Sequence, residues 1–161
     1  MTDSITTVPG SRPRGLLRLV FRLPVFIYRL NLGWLFGRRL LLVTHRGRKS
    51  GRIYRTMLEV VRYDPATHES IVVAGYGPRA DWYQNIQAQP AIAVQTGLRR
   101  YAPRQRILTP DEVDAELASY ERRHPWITKP LLGWFYGYDG TPKARRELAE
   151  RLPMVGFRPA N

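Results

Sequence analysis

The chain predicts an α+β, mainly β fold, an antiparallel barrel of about six strands decorated by helices. Three observations carry that expectation. Short apolar and β-branched runs come in pairs joined by tight turns. A single helical stretch sits between those pairs. There is no regular strand–helix alternation and no Gly-X-Gly-X-X-Gly, so a parallel dinucleotide-binding sheet does not fit.

In chain order, residues 1–14 are polar, contain Pro9, Gly10 and Pro13, and read as a flexible arm. Residues 15–161 read as a single domain. Gly15 to Leu30 reads as a basic amphipathic helix. At about 100° per residue Arg14, Arg18, Arg22 and Arg29 fall on one narrow face, with Leu, Val, Phe and Ile on most of the rest. Pro24 kinks or splits it. Arginine interrupts it too often for a membrane span, and it lacks the cleavage site of a signal peptide. Two readings stay open. The helix lies in a membrane interface with its apolar side down, or it packs on the protein's own sheet with its arginines in solvent.

Strands are expected at Arg39 to His45 and Ile53 to Tyr63, flanking a basic Gly-X-X-X-Gly turn. Asp64-Pro65-Ala66-Thr67 is turn chemistry, and Glu69 to Gly75 is the returning strand. Ala80 to Gln89 reads as a helix stopped by Pro90. Ala91 to Thr96 and Arg99 to Leu108 form a hairpin around Gly97. Thr109-Pro110-Asp111-Glu112 is a capping box with proline at the first helical position, opening a helix to about Arg123. Thr141-Pro142 opens another, to about Leu152. Met154 to Arg158 is expected as a last edge strand.

Composition narrows the chemistry. The 161 residues contain no cysteine, which excludes disulfides, thiolate nucleophiles, zinc–thiolate sites and iron–sulfur clusters. His45, His68 and His124 have no metal-ligand spacing, so no metal site is expected. The net charge is +13, and from Ser4 to Leu58 twelve of the 26 basic residues occur without one Asp or Glu. That half favours anionic partners: nucleic acid, an acidic lipid surface or a phosphorylated ligand. No RNA-recognition, helix-turn-helix or zinc motif is present, so nucleic acid is not expected.

No Ser-His-Asp arrangement or carboxylate pair stands out. An enzyme built from these side chains would leave the difficult step to a bound cofactor. Three places suit one. The turn holding Arg48, Lys49 and Ser50 can grip a phosphate, although the same turn alone also reads as a solvated basic hairpin. Val73-Ala74-Gly75-Tyr76-Gly77 puts small residues at a strand end, where a flat ring could lie against the backbone. Asp81-Trp82-Tyr83-Gln84-Asn85 puts aromatic area and amide donors at a helix start, although large aromatics more often pack a core.

Leu41-Leu42-Val43-Thr44-His45-Arg46-Gly47-Arg48-Lys49-Ser50-Gly51, then Val72-Val73-Ala74-Gly75-Tyr76-Gly77, then Asp81-Trp82-Tyr83-Gln84-Asn85-Ile86-Gln87-Ala88-Gln89-Pro90 resembles the deazaflavin-dependent nitroreductase family. The resemblance covers residues 38–109 well, the expected coenzyme-binding core, and is weaker in the termini, including the C-terminal helices and strand of 110–161. It implies a split β-barrel oxidoreductase that uses reduced coenzyme F420. Flavin mononucleotide, as in the related pyridoxamine-oxidase-like barrels, is the alternative cofactor. A non-enzymatic coenzyme carrier or basic binding protein is the other alternative.

The resemblance implies a role for each matched stretch. Arg48, Lys49 and Ser50 hold the coenzyme's phosphate, beyond which an oligoglutamate tail would suit the surrounding arginines. Tyr54, Arg55, Thr56, Met57 and Leu58 line the coenzyme. Val73, Ala74, Gly75 and Tyr76 lie beside the deazaflavin ring, and Asp81, Trp82, Tyr83, Gln84 and Asn85 close over it. Tyr136 and Tyr138 are the candidate catalytic residues on the substrate side. Gly75 stands where serine is common and Met57 where proline is common, and the loop before Trp82 is shorter and lacks the usual His-Pro. These departures bear on the substrate, not the coenzyme, and activation of nitroimidazole drugs does not follow. The implied reaction is hydride transfer to an electron-poor acceptor, a quinone or a nitro or enone compound. The implied location is cytoplasmic, with peripheral contact at the inner face of an anionic membrane. The oligomeric state stays open.

Overall fold

The structure, a computed structural model, describes residues 38–160. The flexible arm of 1–14 and the amphipathic helix of 15–30 lie outside the described residues. Within them are seven strands: β1 (Leu40–Arg46), β2 (Ile53–Asp64), β3 (Glu69–Val73), β4 (Ala93–Thr96), β5 (Arg99–Tyr101), β6 (Pro103–Ile107) and β7 (Met154–Pro159). The helices are α1 (Asp81–Ala88), α2 (Pro110–Arg123), α3 (Pro125–Tyr136) and α4 (Pro142–Arg151), with a 3₁₀ turn at Gly77–Arg79.

The strands form one antiparallel sheet in the order β5-β4-β1-β2-β3-β7-β6. Its two edges, β5 and β6, are consecutive in sequence and separated only by Ala102. The sheet therefore curls until its edges meet along the chain, which makes a nearly closed barrel. In β2 the register slips between Val60 and Arg62, a bulge of the kind that sharpens such a curl.

Three expectations are corrected. The stretch expected as one strand, Arg99 to Leu108, breaks at Ala102 because its halves serve opposite edges, so the strands number seven. The Met154 strand is not an edge: β7 lies between β3 and β6. Helix α3 was not anticipated. Pro125 takes the first helical position, where its missing N–H costs nothing, and Pro130 lies inside the helix.

Alternation along the strands divides the core. Leu41 and Val43 of β1, Leu58 of β2, Val72 of β3 and Val155 and Phe157 of β7 fill the barrel with Trp82, Tyr83 and Ile86 of α1. Ile71 and Met154, on the opposite faces of β3 and β7, join Leu108, Val113, Leu117, Leu148 and Leu152 in a second cluster under α2 and α4. Strand β3 is thus buried on both faces, which explains its unbroken Ile71-Val72-Val73 run. Burying one such side chain contributes about 1.5–3 kcal/mol. The capping box at Thr109 forms as read: its hydroxyl accepts from the Glu112 N–H and the Glu112 carboxylate accepts from the Thr109 N–H. Gln105 ties β6 to the end of α1, accepting from the Ala91 N–H and donating to the Ile86 carbonyl, both at 2.8 Å.

Candidate functional site

The basic turn joins β1 to β2 and docks on α1. Gly51 adopts φ +66°, a region that favours glycine. A Cβ on Gly47 would lie 2.6 Å from the Tyr54 ring and 2.7 Å from Ser50 Oγ, so any side chain there must displace both. The Gly47 N–H donates to the Arg52 carbonyl and the Gly51 N–H to the Gly47 carbonyl, each at 2.8 Å. Ser50 Oγ accepts from the Arg52 N–H and lies 3.1 Å from the Tyr54 hydroxyl. The serine thus shapes the loop, while Lys49, Arg52 and Arg55 stay exposed.

Arg48 fixes the turn to the helix. Its backbone N–H and its Nη1 both donate to Asn85 Oδ1, at 3.0 and 2.9 Å, and its guanidinium meets Asp81 Oδ1 at 3.2 Å. Asn85 is buried, and its Nδ2 lies 3.1 Å from His45 Nδ1. His45, 2% exposed, completes the chain with Nε2 at 2.9 Å from Thr56 Oγ1. Its ring also stacks on Tyr54, with centroids 6.0 Å apart and planes 24° apart. Burial pushes the His45 pKa below its ordinary value, opposed only in part by Asp81.

The sequence named Arg48, Asp81, Asn85, Tyr54 and Thr56, which the structure brings into one network, but left His45 as an isolated histidine. The signal lay in the period of two. His45 follows Leu41 and Val43 on the inward face of β1 and faces Tyr54 across the ladder. The run 54–58 mixes two faces. Tyr54, Thr56 and Leu58 point inward with His45, and Arg55 and Met57 take the opposite face, so one flat ligand meets one set or the other. Trp82 and Tyr83 pack edge to face inside the barrel core, where they hold α1 in place. Gln84 donates to the Pro78 carbonyl at 3.2 Å, bracing the turn before α1.

The second region is the end of β3. Val73 packs on the second cluster and Ala74 in the barrel. Gly75 is exposed and Tyr76 is 72% exposed. The Tyr136 hydroxyl donates to the Gly75 carbonyl. Burial, then the neighbouring Tyr76, raises the Tyr136 pKa. Tyr138 goes elsewhere: it is buried in the second cluster, its hydroxyl donating to Glu121 Oε2 at 2.9 Å. Gly75 and Asp81 are six positions apart, at most about 20 Å of chain at full extension, so the open strand end leads directly into the helix on which the basic turn docks. Among the described residues no acidic or histidine cluster could hold a metal ion, and no helix is long and apolar enough to cross a membrane.

Fold and strand order define a split β-barrel protein with helices packed against it. The chain belongs to the F420H(2)-dependent quinone reductase family, whose model matches residues 21–127. That family is one of oxidoreductases named for F420H2 dependence. Among solved structures, a protein of unknown function from Agrobacterium tumefaciens is 17% identical with a TM-score of 0.50, over 95% of this chain and 59% of that one. An F420-H2-dependent reductase is 24% identical with a TM-score of 0.44, over 76% and 96%. A pyridoxamine 5′-phosphate oxidase-related, FMN-binding protein from Nostoc punctiforme is 16% identical with a TM-score of 0.47, over 91% and 81%. Comparison with curated proteins returned no match.

Proposed function

We propose that this protein binds reduced coenzyme F420 and passes its hydride to a quinone. The observation that carries the reading is the docking of the basic turn on α1 through Arg48, Asn85 and Asp81. It holds a loop with exposed cationic donors in a fixed place on the helix that follows the open strand end. The residues suit the group. Lys49 and Arg52 offer exposed cationic donors, and each charge-assisted hydrogen bond to phosphate contributes roughly 1.5–3 kcal/mol. A Cβ on Gly75 would meet only the Tyr136 hydroxyl, at 3.6 Å, so the backbone there is open to a flat ring.

The bound coenzyme supplies the hydride. The chain's part is to bind and orient. Arg48, Lys49 and Ser50 hold and shape the phosphate end, the inward set Tyr54 and Thr56 lines the strand, and Gly75 and Tyr76 border the ring. Tyr136 fixes the Gly75 carbonyl. Trp134 and Phe135, exposed on the same helix as Tyr136, give an apolar surface for a quinone ring. A nitro or enone acceptor suits the same surface. An isoprenoid quinone resides in the bilayer, and the basic segment of residues 15–30 would bring the cytoplasmic enzyme to its anionic inner face.

One assay tests acceptor and membrane contact together. Oxidation of reduced F420 is followed with a short-chain soluble quinone and with an isoprenoid quinone in anionic vesicles, for the full chain and for a chain lacking residues 1–30. Both quinones should be reduced, and the deletion should slow only the vesicle reaction. Failure with every quinone rules out the acceptor class, and equal vesicle rates rule out the membrane contact.

A further inference from the structure

The hydrogen atoms around His45 can be placed by elimination. Both Arg48 groups facing Asn85 are N–H donors, so the amide atom they meet is the oxygen. The Asn85 NH₂ therefore points at His45 Nδ1, which must accept. The ring proton is then on Nε2 and donates to Thr56 Oγ1. Only neutral His45 satisfies this arrangement. A proton added at Nδ1 would set N–H against N–H at 3.1 Å, inside the protein, with Tyr54 of β2 stacked on the ring, Arg48 of the turn one residue beyond and Asp81 of α1 the carboxylate whose charge acts on it. The amide would have to turn over, presenting its NH₂ to Arg48 and losing both Arg48 bonds.

We propose that His45 is a positioning residue for the anion-holding turn: neutral, it fixes the Asn85 amide so that its oxygen clamps Arg48, and protonated, it releases that clamp. The consequence for coenzyme binding rests on the reading given under Proposed function. The clamp itself is a property of the free protein. Acid pH therefore weakens the turn's grip at the His45 midpoint, which burial puts below that of an ordinary histidine.

The test has two readouts. In the ligand-free full chain, nitrogen-15 spectra should show His45 protonated at Nε2 and bare at Nδ1, and the Arg48 amide should shift, and lose protection relative to its intrinsic exchange rate, at the same midpoint. In His45→Asn, whose side-chain oxygen can accept from Asn85 without titrating, the Arg48 amide should be flat with pH. In parallel, F420 affinity of the wild type should fall about tenfold through that midpoint, and that of His45→Asn should not. A ring protonated at Nδ1, an Arg48 amide indifferent to His45, or a wild-type affinity unchanged through the midpoint would overturn the proposal. Absence of F420 binding at every pH would sink the coenzyme reading instead, leaving the spectra to decide the clamp.

Discussion

Two tyrosines two positions apart show what single residues decide. The resemblance offered Tyr136 and Tyr138 without choosing between them, since spacing alone does not say which reaches Gly75. The structure sends the Tyr136 hydroxyl to the Gly75 carbonyl and the Tyr138 hydroxyl to Glu121. Tyr136→Phe should therefore lower turnover of reduced F420 several-fold with little change in stability. Tyr138→Phe should leave turnover intact and cost about 1 kcal/mol in urea denaturation. Burial, then the Glu121 hydrogen bond, pushes the Tyr138 pKa up to about 12. The unfolded chain ionises this phenol near its ordinary value of about 10. Its contribution is thus complete below that value and lost as pH rises toward about 12. The reverse pattern of effects, with Tyr138→Phe slowing turnover, would contradict this division of roles.

At the scale of elements, legibility followed local signals. The capping box, the glycines of the basic turn and Pro90 each act within a few residues, and those elements stand where the sequence put them. Strand neighbours are set by contacts distant in the chain, so β7 could be recognised as a strand but not placed inside the sheet. Helix α3 was passed over in the sequence: it holds Pro130 and Gly133 within twelve residues, and its N-cap, His124, makes no side-chain capping bond. The interior position of β7 creates a tight spot. An added Cβ on Gly156 would lie 2.6 Å from Glu69 Oε1. That carboxylate is held by two Arg106 bonds at 2.8 and 3.0 Å, and Arg106 also meets Glu112 at 2.7 Å. Gly156→Ala should destabilise by about 1–3 kcal/mol, as overpacking does, lowering the urea midpoint. An unchanged midpoint would show that Glu69 can move aside.

For the molecule as a whole, the antiparallel barrel was legible because paired strands and tight turns leave few alternatives. The site was legible in its cationic turn and its small strand end. It was not legible in His45, whose contacts with Thr56, Asn85 and Tyr54 exist only once β1, β2 and α1 converge. The charge of +13 attracts anions in general; the turn docked on α1 places Lys49 and Arg52 at one fixed, exposed position. The central claim is that this turn holds a deazaflavin coenzyme, and an equilibrium titration tests it most directly. Full-length protein is titrated with F420 and, in parallel, with flavin mononucleotide, followed by fluorescence, for the wild type and Lys49→Ala. F420 should bind more tightly than flavin mononucleotide, and Lys49→Ala should weaken it about tenfold, the loss of one charge-assisted bond. Preference for flavin mononucleotide, or F420 affinity indifferent to Lys49, would contradict it.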